Sequence, residues 1–255
     1  MNPRRAALLG VGAAAGAAAL IAARARQIDR SPLATLAGGE RLKVETSDGA
    51  VLEVHIAGSG PTVVLSHCWT GDMRIWEPVA VSLVDRGFRV VRYDHRGHGA
   101  STVGSGGNLV ERLGTDLAEL LIGLDARDAV VAGHSMGGMT AQAFAIDHPD
   151  VAAERVRALV LVATASRNTQ LPGLRRAASF VLTSPAIEHA LRSRFGHSLL
   201  RGVLGRAATP AAVRATRDSF VATAPEVRLS QGLSLLDLDL RESRARIAVP
   251  TTGVG

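Results

Sequence analysis

Cysteine is almost absent from this 255-residue chain. Cys68 stands alone, which excludes an intramolecular disulfide framework and any metal site built on several thiolates, and leaves the redox compartment open. Aromatic residues make up only 3% of the sequence, and of the 29 basic residues Lys43 is the one lysine. The arginines are scattered along the chain and are not interleaved with aromatics, so the net charge of +6 carries no nucleic-acid footprint. What remains is 47% hydrophobic and 20% charged, the composition of a folded domain and not of a disordered or low-complexity chain. The length suits one core, or one core with a small lid.

The N-terminal segment, residues 1–30, reads separately. After Arg4 and Arg5, residues 6–23 form an uncharged run, mostly Ala, Gly, Leu and Val, which Arg24, Arg26 and Arg30 close. Paired arginines before such a run resemble a twin-arginine export signal, and Ala23-Arg24-Ala25 is a weak cleavage site. Residues 6–23 are therefore expected to be a membrane anchor or an export signal, which places the chain at a membrane or in the cell envelope. An Ala-rich helix packed on the domain surface is the plainer alternative. Gly10-Val11-Gly12 and Gly16 imitate a dinucleotide fingerprint but follow no strand, so they are set aside.

From residue 41 onward short β-rich runs alternate with longer helical stretches. Residues 41–46 and 51–56, separated by Ser47-Asp48-Gly49, read as a hairpin turning at Asp-Gly. Residues 62–65, 89–93, 129–132 and 158–162 are brief apolar runs suited to strands buried on both faces, with helix-length segments between them. This predicts an α/β sheet whose strand ends, and the loops leaving them, line one edge where such sheets place their binding sites.

Those loops hold the chemistry. Gly133-His134-Ser135-Met136-Gly137, followed by Gly138, has the form G-x-S-x-G, which a chain of this composition contains by chance about 0.2 times. Its context raises it: the buried-strand run 129–132 precedes it and a helix-forming stretch, 139–146, follows. A serine on such a sharp strand-to-helix turn takes a strained backbone, and side chains at the flanking glycines would strike the neighbouring strand and helix. Its hydroxyl stands at a helix N-terminus, where N–H groups and the helix dipole favour a developing anion. The plainer reading of Ser135 is a helix N-cap.

The run 62–65 leads into Ser66-His67-Cys68-Trp69-Thr70-Gly71-Asp72, and 90–93 leads into Asp94-His95-Arg96-Gly97-His98-Gly99-Ala100-Ser101. With the serine turn, these loops make residues 41–255 resemble the α/β-hydrolase superfamily. The resemblance implies an α/β-hydrolase fold, a mostly parallel sheet flanked by helices, with a helical lid inserted after the sixth strand and the C-terminal part of the sheet missing. It implies Ser135 as nucleophile and the backbone N–H groups of Trp69 and Met136 as oxyanion donors. Cys68 stands where the family usually has glycine, which puts the backbone angles of that loop in question. The 94–101 run looks like the family's D-x-R-G-x-G-x-S turn, and we read Asp94 and Arg96 as tying loops together by charge-assisted hydrogen bonds. No metal or organic cofactor is implied: His95 and His98 lack carboxylates or thiolates at ligand spacing.

Other chemistry-bearing residues read as structural. Cys68 is expected to be a small buried thiol. His67 is expected to bond within its loop, His134 to project away from Ser135, and His148 to suit a helix end.

The expected organisation is a core over 31–166, a helical lid over 167–237 and a return to the core over 238–255. The lid region is punctuated by Pro172, Pro185, Pro210 and Pro225 and has no strand-like run. Phe180, Leu182, Phe195, Phe220 and Val221 are candidate pocket residues, each equally able to pack lid onto core, and Arg175-Arg176 reads as solvated. Residues 247–255 read as the start of a further strand. The family's triad arrives in the order Ser, acid, His, yet no histidine lies beyond His197, and Asp237 and Asp239 match no acid position. The sequence therefore reads as a truncated serine hydrolase for a small ester-like substrate, a carboxylic ester or lactone, without its acid and base. The alternatives are a catalytically inactive binding protein and a cofactor-free perhydrolase; oligomeric state is not legible.

Overall fold

The hairpin comes first in the fold as in the sequence. The computed structural model describes residues 35–167, 184–193, 196, 200–202, 204, 205 and 208–254. Strand β1 (Glu40–Glu45) pairs antiparallel with β2 (Val51–Ala57), and Thr46 Oγ donates to Asp48 Oδ1 at 2.7 Å in the turn between them. The remaining strands are β3 (Thr62–Ser66), β4 (Arg89–Tyr93), β5 (Ala129–His134), β6 (Val156–Val162) and β7 (Thr251–Val254). They form a seven-stranded sheet in the order β1-β2-β4-β3-β5-β6-β7, antiparallel across β1-β2-β4 and parallel from β4 to β7.

The apolar runs are explained by burial on both faces. Val64, Val91, Tyr93, Ala129 and Val131 turn to one core, while Val63, Leu65, Val90 and Ala132 turn to the other, as a period of two along each strand requires. Helix α1 (Glu77–Val84) covers the second face with Ala80, together with Trp76 of the 3-10 turn Met73–Trp76 that precedes it. Helices α2 (Val110–Gly123) and α3 (Met136–Asp147) cover the first, packing Leu117, Leu120 and Leu121 with Ala141, Phe144 and Ala145; α4 (Pro149–Arg155) follows and leads into β6.

After β6 the chain leaves the sheet, and Arg167 pairs with Asp239 where it returns. Between them are α5 (Pro185–Arg192), α6 (Pro210–Ala222) and α7 (Pro225–Asp237). Three of the four prolines that punctuate this region in the sequence, Pro185, Pro210 and Pro225, open these helices, at the position where the missing N–H leaves no bond unmade. Residues 1–30, the segment 168–183 with Pro172, Arg175, Arg176, Phe180 and Leu182, and Phe195 lie outside the described residues. Among the described residues no helix is long and apolar enough to cross a membrane.

The last strand differs most from the sequence reading. The strand expected from residue 247 begins at Thr251, after a single 3-10 turn at Ser243–Arg246. Ile247 and Val249 pack into the core from an irregular segment, and Pro250, which has no N–H to give to a ladder, precedes the paired residues.

Candidate active site

Strand β5 delivers Ser135 to the start of α3. Ser135 has φ 51° and ψ −114°, a conformation that L-residues rarely adopt and that persists only where the surroundings over-determine it. Those surroundings are explicit. Ser135 N donates to Val162 O at 3.0 Å, and its carbonyl accepts from Gly138 N, Met139 N and Thr164 Oγ1 at 2.9, 3.1 and 2.6 Å. A Cβ on Gly133 would lie 2.3 Å from Gly137 O, and one on Gly137 would lie 2.2 Å from Ser66 O, so neither turn residue can carry a side chain without moving backbone.

The loop after β3 faces this turn. The N–H of Met136, in the first turn of α3, and the N–H of Trp69 have no hydrogen-bond partner among the described residues. Cys68 does not distort the loop, because the left-handed residue is Thr70, at φ 55°, and not the position that is usually glycine. Burial pushes the Cys68 thiol up to about 11, so it is a poor source of thiolate.

Three buried histidines hold the loop in place. His67 Nδ1 donates to Cys68 O at 2.8 Å and its Nε2 accepts from His95 N at 2.9 Å; His98 Nε2 accepts from Thr70 N at 3.1 Å while its Nδ1 donates to Arg96 O at 3.1 Å. The rings of His67 and His98 therefore each have one fixed neutral tautomer. Burial lowers His67 to about 4 and His98 to about 3, and His95, whose Nε2 meets Ser66 Oγ at 2.9 Å, is lowered well below its usual value by the same cause. With all four nitrogens of His67 and His98 engaged by backbone, the pair has no free lone pair for a metal. His134 packs edge-on against Trp76, ring centroids 6.4 Å apart, and does not bond Ser135.

Asp94 accepts from Met73 N at 2.8 Å and Ala100 N at 3.0 Å, and burial raises it to about 6. Arg96, fully buried, is bidentate to Asp116 of α2 (2.6 and 2.6 Å) and to Asp48 of the hairpin turn (2.8 and 2.9 Å). This run therefore ties the hairpin, α2 and the Met73 turn together beneath the serine loop, the loop-tying role read from the sequence.

A family model described as the alpha/beta hydrolase fold matches residues 61–197. This chain belongs to the α/β-hydrolase family. A solved hydrolase from Pseudomonas aeruginosa is 32% identical, with a TM-score of 0.70 over 85% of this chain and 80% of that one. An enol-lactonase from Burkholderia xenovorans is 30% identical, with a TM-score of 0.64 over 84% of this chain and 80% of that one. A non-heme haloperoxidase from Rhodococcus erythropolis is 34% identical over 119 residues, which is 47% of this chain and 42% of the relative. The matches thus span under half the length of the curated relatives.

In this α/β-hydrolase the described structure brings the turn of Ser135, the loop of Trp69 and the first turn of α3 into one place, between the ends of β3 and β5. It brings no acid or base to them: among the described residues no side chain hydrogen-bonds the Ser135 hydroxyl, and His189, on α5, is exposed. Sequence reasoning missed three supports. Thr164 braces the serine carbonyl. Asp72 accepts from Arg74 and from Ser219 of the lid, and although burial works against it these bonds hold its carboxyl below the usual range. Gln142 links α3 to the residues after β6 through Ala165 O and Ser166 Oγ. Apart from the Asp72–Arg74 cap, which is local, each is a pair of residues distant in the sequence that the fold brings together.

Proposed function

We propose that this protein is a serine hydrolase that cleaves a small ester-like substrate, a carboxylic ester or a lactone, through an acyl-enzyme on Ser135. The observation that carries the reading is the Ser135 backbone, at φ 51° and ψ −114°, braced on every side at the N-terminus of α3. Such strain is expected where a side chain must be presented, and a helix N-cap needs none of it; Ser135 in fact makes no side-chain cap bond.

The steps follow from the arrangement. Ser135 Oγ adds to the substrate carbonyl carbon, and the carbonyl oxygen, now an anion, accepts from the N–H groups of Trp69 and Met136 at the positive end of α3. Collapse expels the alkoxide, which leaves as the alcohol, or as the tethered hydroxyl of an opened lactone. Water then attacks the acyl carbon and frees Ser135. The Ser135 proton must pass to a base, and the reading assigns that role to no described residue. The relative named enol-lactonase supports a lactone among the substrates.

A second reading is favoured by the relative named non-heme haloperoxidase: the acyl group passes from Ser135 to hydrogen peroxide and leaves as a peracid, without a cofactor. A third, an inactive binding protein, is favoured by the Ser135 hydroxyl, which has no side-chain partner among the described residues. One assay separates them. With short aryl esters and lactones, turnover is expected that Ser135→Ala lowers by several orders of magnitude. Retention of a tenth of the activity overturns the nucleophile assignment, peracid release with peroxide supports the second reading, and no turnover with intact ligand binding supports the third.

A further inference from the structure

The lid touches the oxyanion loop at two consecutive residues of α6. Ser219 Oγ, buried, donates to Asp72 Oδ2 at 2.5 Å, and Phe220 meets Trp69 edge-on with ring centroids 6.4 Å apart and planes at 82°. Phe220 is itself clamped. The Arg228 guanidinium carbon stands 4.7 Å from its ring centroid, and Arg228 Nη1 donates to Phe220 O at 3.0 Å while Nη2 pairs with Glu188 of α5. Helix α7, which carries Arg228, is fixed to the core: Ser234 Oγ accepts from Val110 N at 3.1 Å, Gln231 Nε2 reaches Arg96 O at 3.4 Å, and Asn108 Nδ2 reaches Ser230 Oγ at 3.4 Å.

We propose that Phe220, held by Arg228 and aided by Ser219, is a positioning residue for the oxyanion hole, setting the place of the Trp69 N–H from the lid side. The inference rests on the serine hydrolase reading for its catalytic consequence, but not for the contact itself. An arginine that is only 1% exposed is a poor choice for packing alone, because an apolar residue of similar volume fills such a site without desolvating a charge. Over an aromatic face, with Nη1 on Phe220 O and Nη2 on Glu188, the guanidinium fixes one ring orientation, while its Nε has no partner among the described residues. That matters because an oxyanion donor must sit about 2.7–3.1 Å from the oxygen it stabilises, and a displacement of about 1 Å removes much of its effect. The Asp72 bond holds the other end of the loop, so α6, α7 and the loop form one unit and not a free flap over a finished site.

The test uses the full chain with Trp76→Phe, which leaves Trp69 as the only tryptophan and removes an indole N–H that has no partner among the described residues. In that background Phe220→Ala, Phe220→Tyr, Arg228→Met and Ser219→Ala are compared by tryptophan emission, acrylamide quenching and short-ester kinetics. Phe220→Ala and Arg228→Met are expected to shift Trp69 emission to the red, raise quenching and lower kcat about tenfold with KM within about twofold. Ser219→Ala is expected to do the same more weakly, and Phe220→Tyr, which keeps the ring, to restore both readouts. If Phe220→Ala does not fold, Arg228→Met and Ser219→Ala carry the test. Trp69 emission and kcat unchanged in the variants that fold would overturn the proposal. If the parent chain turns over no ester, emission alone decides the positioning contact, and the failure falls on the hydrolase reading.

Discussion

Acid should unfold this protein unusually early, because three imidazoles beneath the oxyanion loop are kept neutral by burial. His67, His95 and His98 are at most 1% exposed, and burial lowers His67 to about 4 and His98 to about 3. An unfolded histidine titrates at about 6.5. Below that pH the unfolded chain binds protons that the native state refuses, so stability present above 6.5 is lost as pH falls towards the folded values. At pH 5 each of the three still neutral rings withdraws about 2 kcal/mol, together about 6 kcal/mol relative to pH 8. Asp94 acts in the opposite direction: raised to about 6 by burial, it is charged at a penalty above that pH and returns about 1 kcal/mol as it protonates. Asp72, facing the same cluster, is held low by its bonds and stays ionised in this window. The net loss of about 5 kcal/mol is comparable to the whole stability of a marginal domain. Urea unfolding at pH 8, 6.5 and 5, followed by circular dichroism, measures it directly. His98→Gln should flatten the profile by about 2 kcal/mol between pH 8 and 5. A change below about 2 kcal/mol in the parent would refute the argument that these rings are neutral and buried.

Three further outcomes follow from single contacts. Gly137→Ala places a Cβ 2.2 Å from Ser66 O, so backbone must move, and a loss of more than about 3 kcal/mol is expected in urea unfolding, or no folded protein at all. Asp116→Asn leaves the buried Arg96 guanidinium short of one counter-charge and should lower stability by about 3–5 kcal/mol; a change under about 1 kcal/mol would show that Asp48 alone neutralises it. Thr164→Val removes the 2.6 Å bond to the Ser135 carbonyl, with a stability loss of about 1 kcal/mol and slower reaction of Ser135 with an organophosphorus probe, both readable against the parent in one titration.

The hairpin, the four buried strands and the serine turn were legible because each is dictated locally. Strands covered on both faces are mostly apolar, buried Arg92 of β4 being paired with Glu77, and a turn as tight as residues 133–137 has no room for a side chain two residues to either side of the serine. Pro185, Pro210 and Pro225 were legible as punctuation but not as what they are, the first residues of α5, α6 and α7. Residues 247–250 looked like strand from their apolar content, yet Ile247 and Val249 serve packing and the pairing begins at Thr251. Cys68 looked like a backbone irregularity because the left-handed residue could not be placed without coordinates; it is Thr70. The tying role of Asp94 and Arg96 was legible from their motif, but the partners that the supports of the site reach were not. Arg96 reaches Asp48 across 48 residues and Ser219 reaches Asp72 across 147, and no spacing in the chain announces either pair. These are contacts that only the folded chain creates.

The central claim is that Ser135 is an acylatable nucleophile, and one measurement meets it most directly. The full chain is incubated with a fluorophosphonate, digested, and the adduct located by mass spectrometry, with Ser135→Ala alongside. The account predicts one phosphonyl group per chain, on the peptide containing Ser135, and none in the variant. An adduct elsewhere, on Cys68 for example, or an unmodified parent chain under conditions that saturate a known serine esterase, would contradict it.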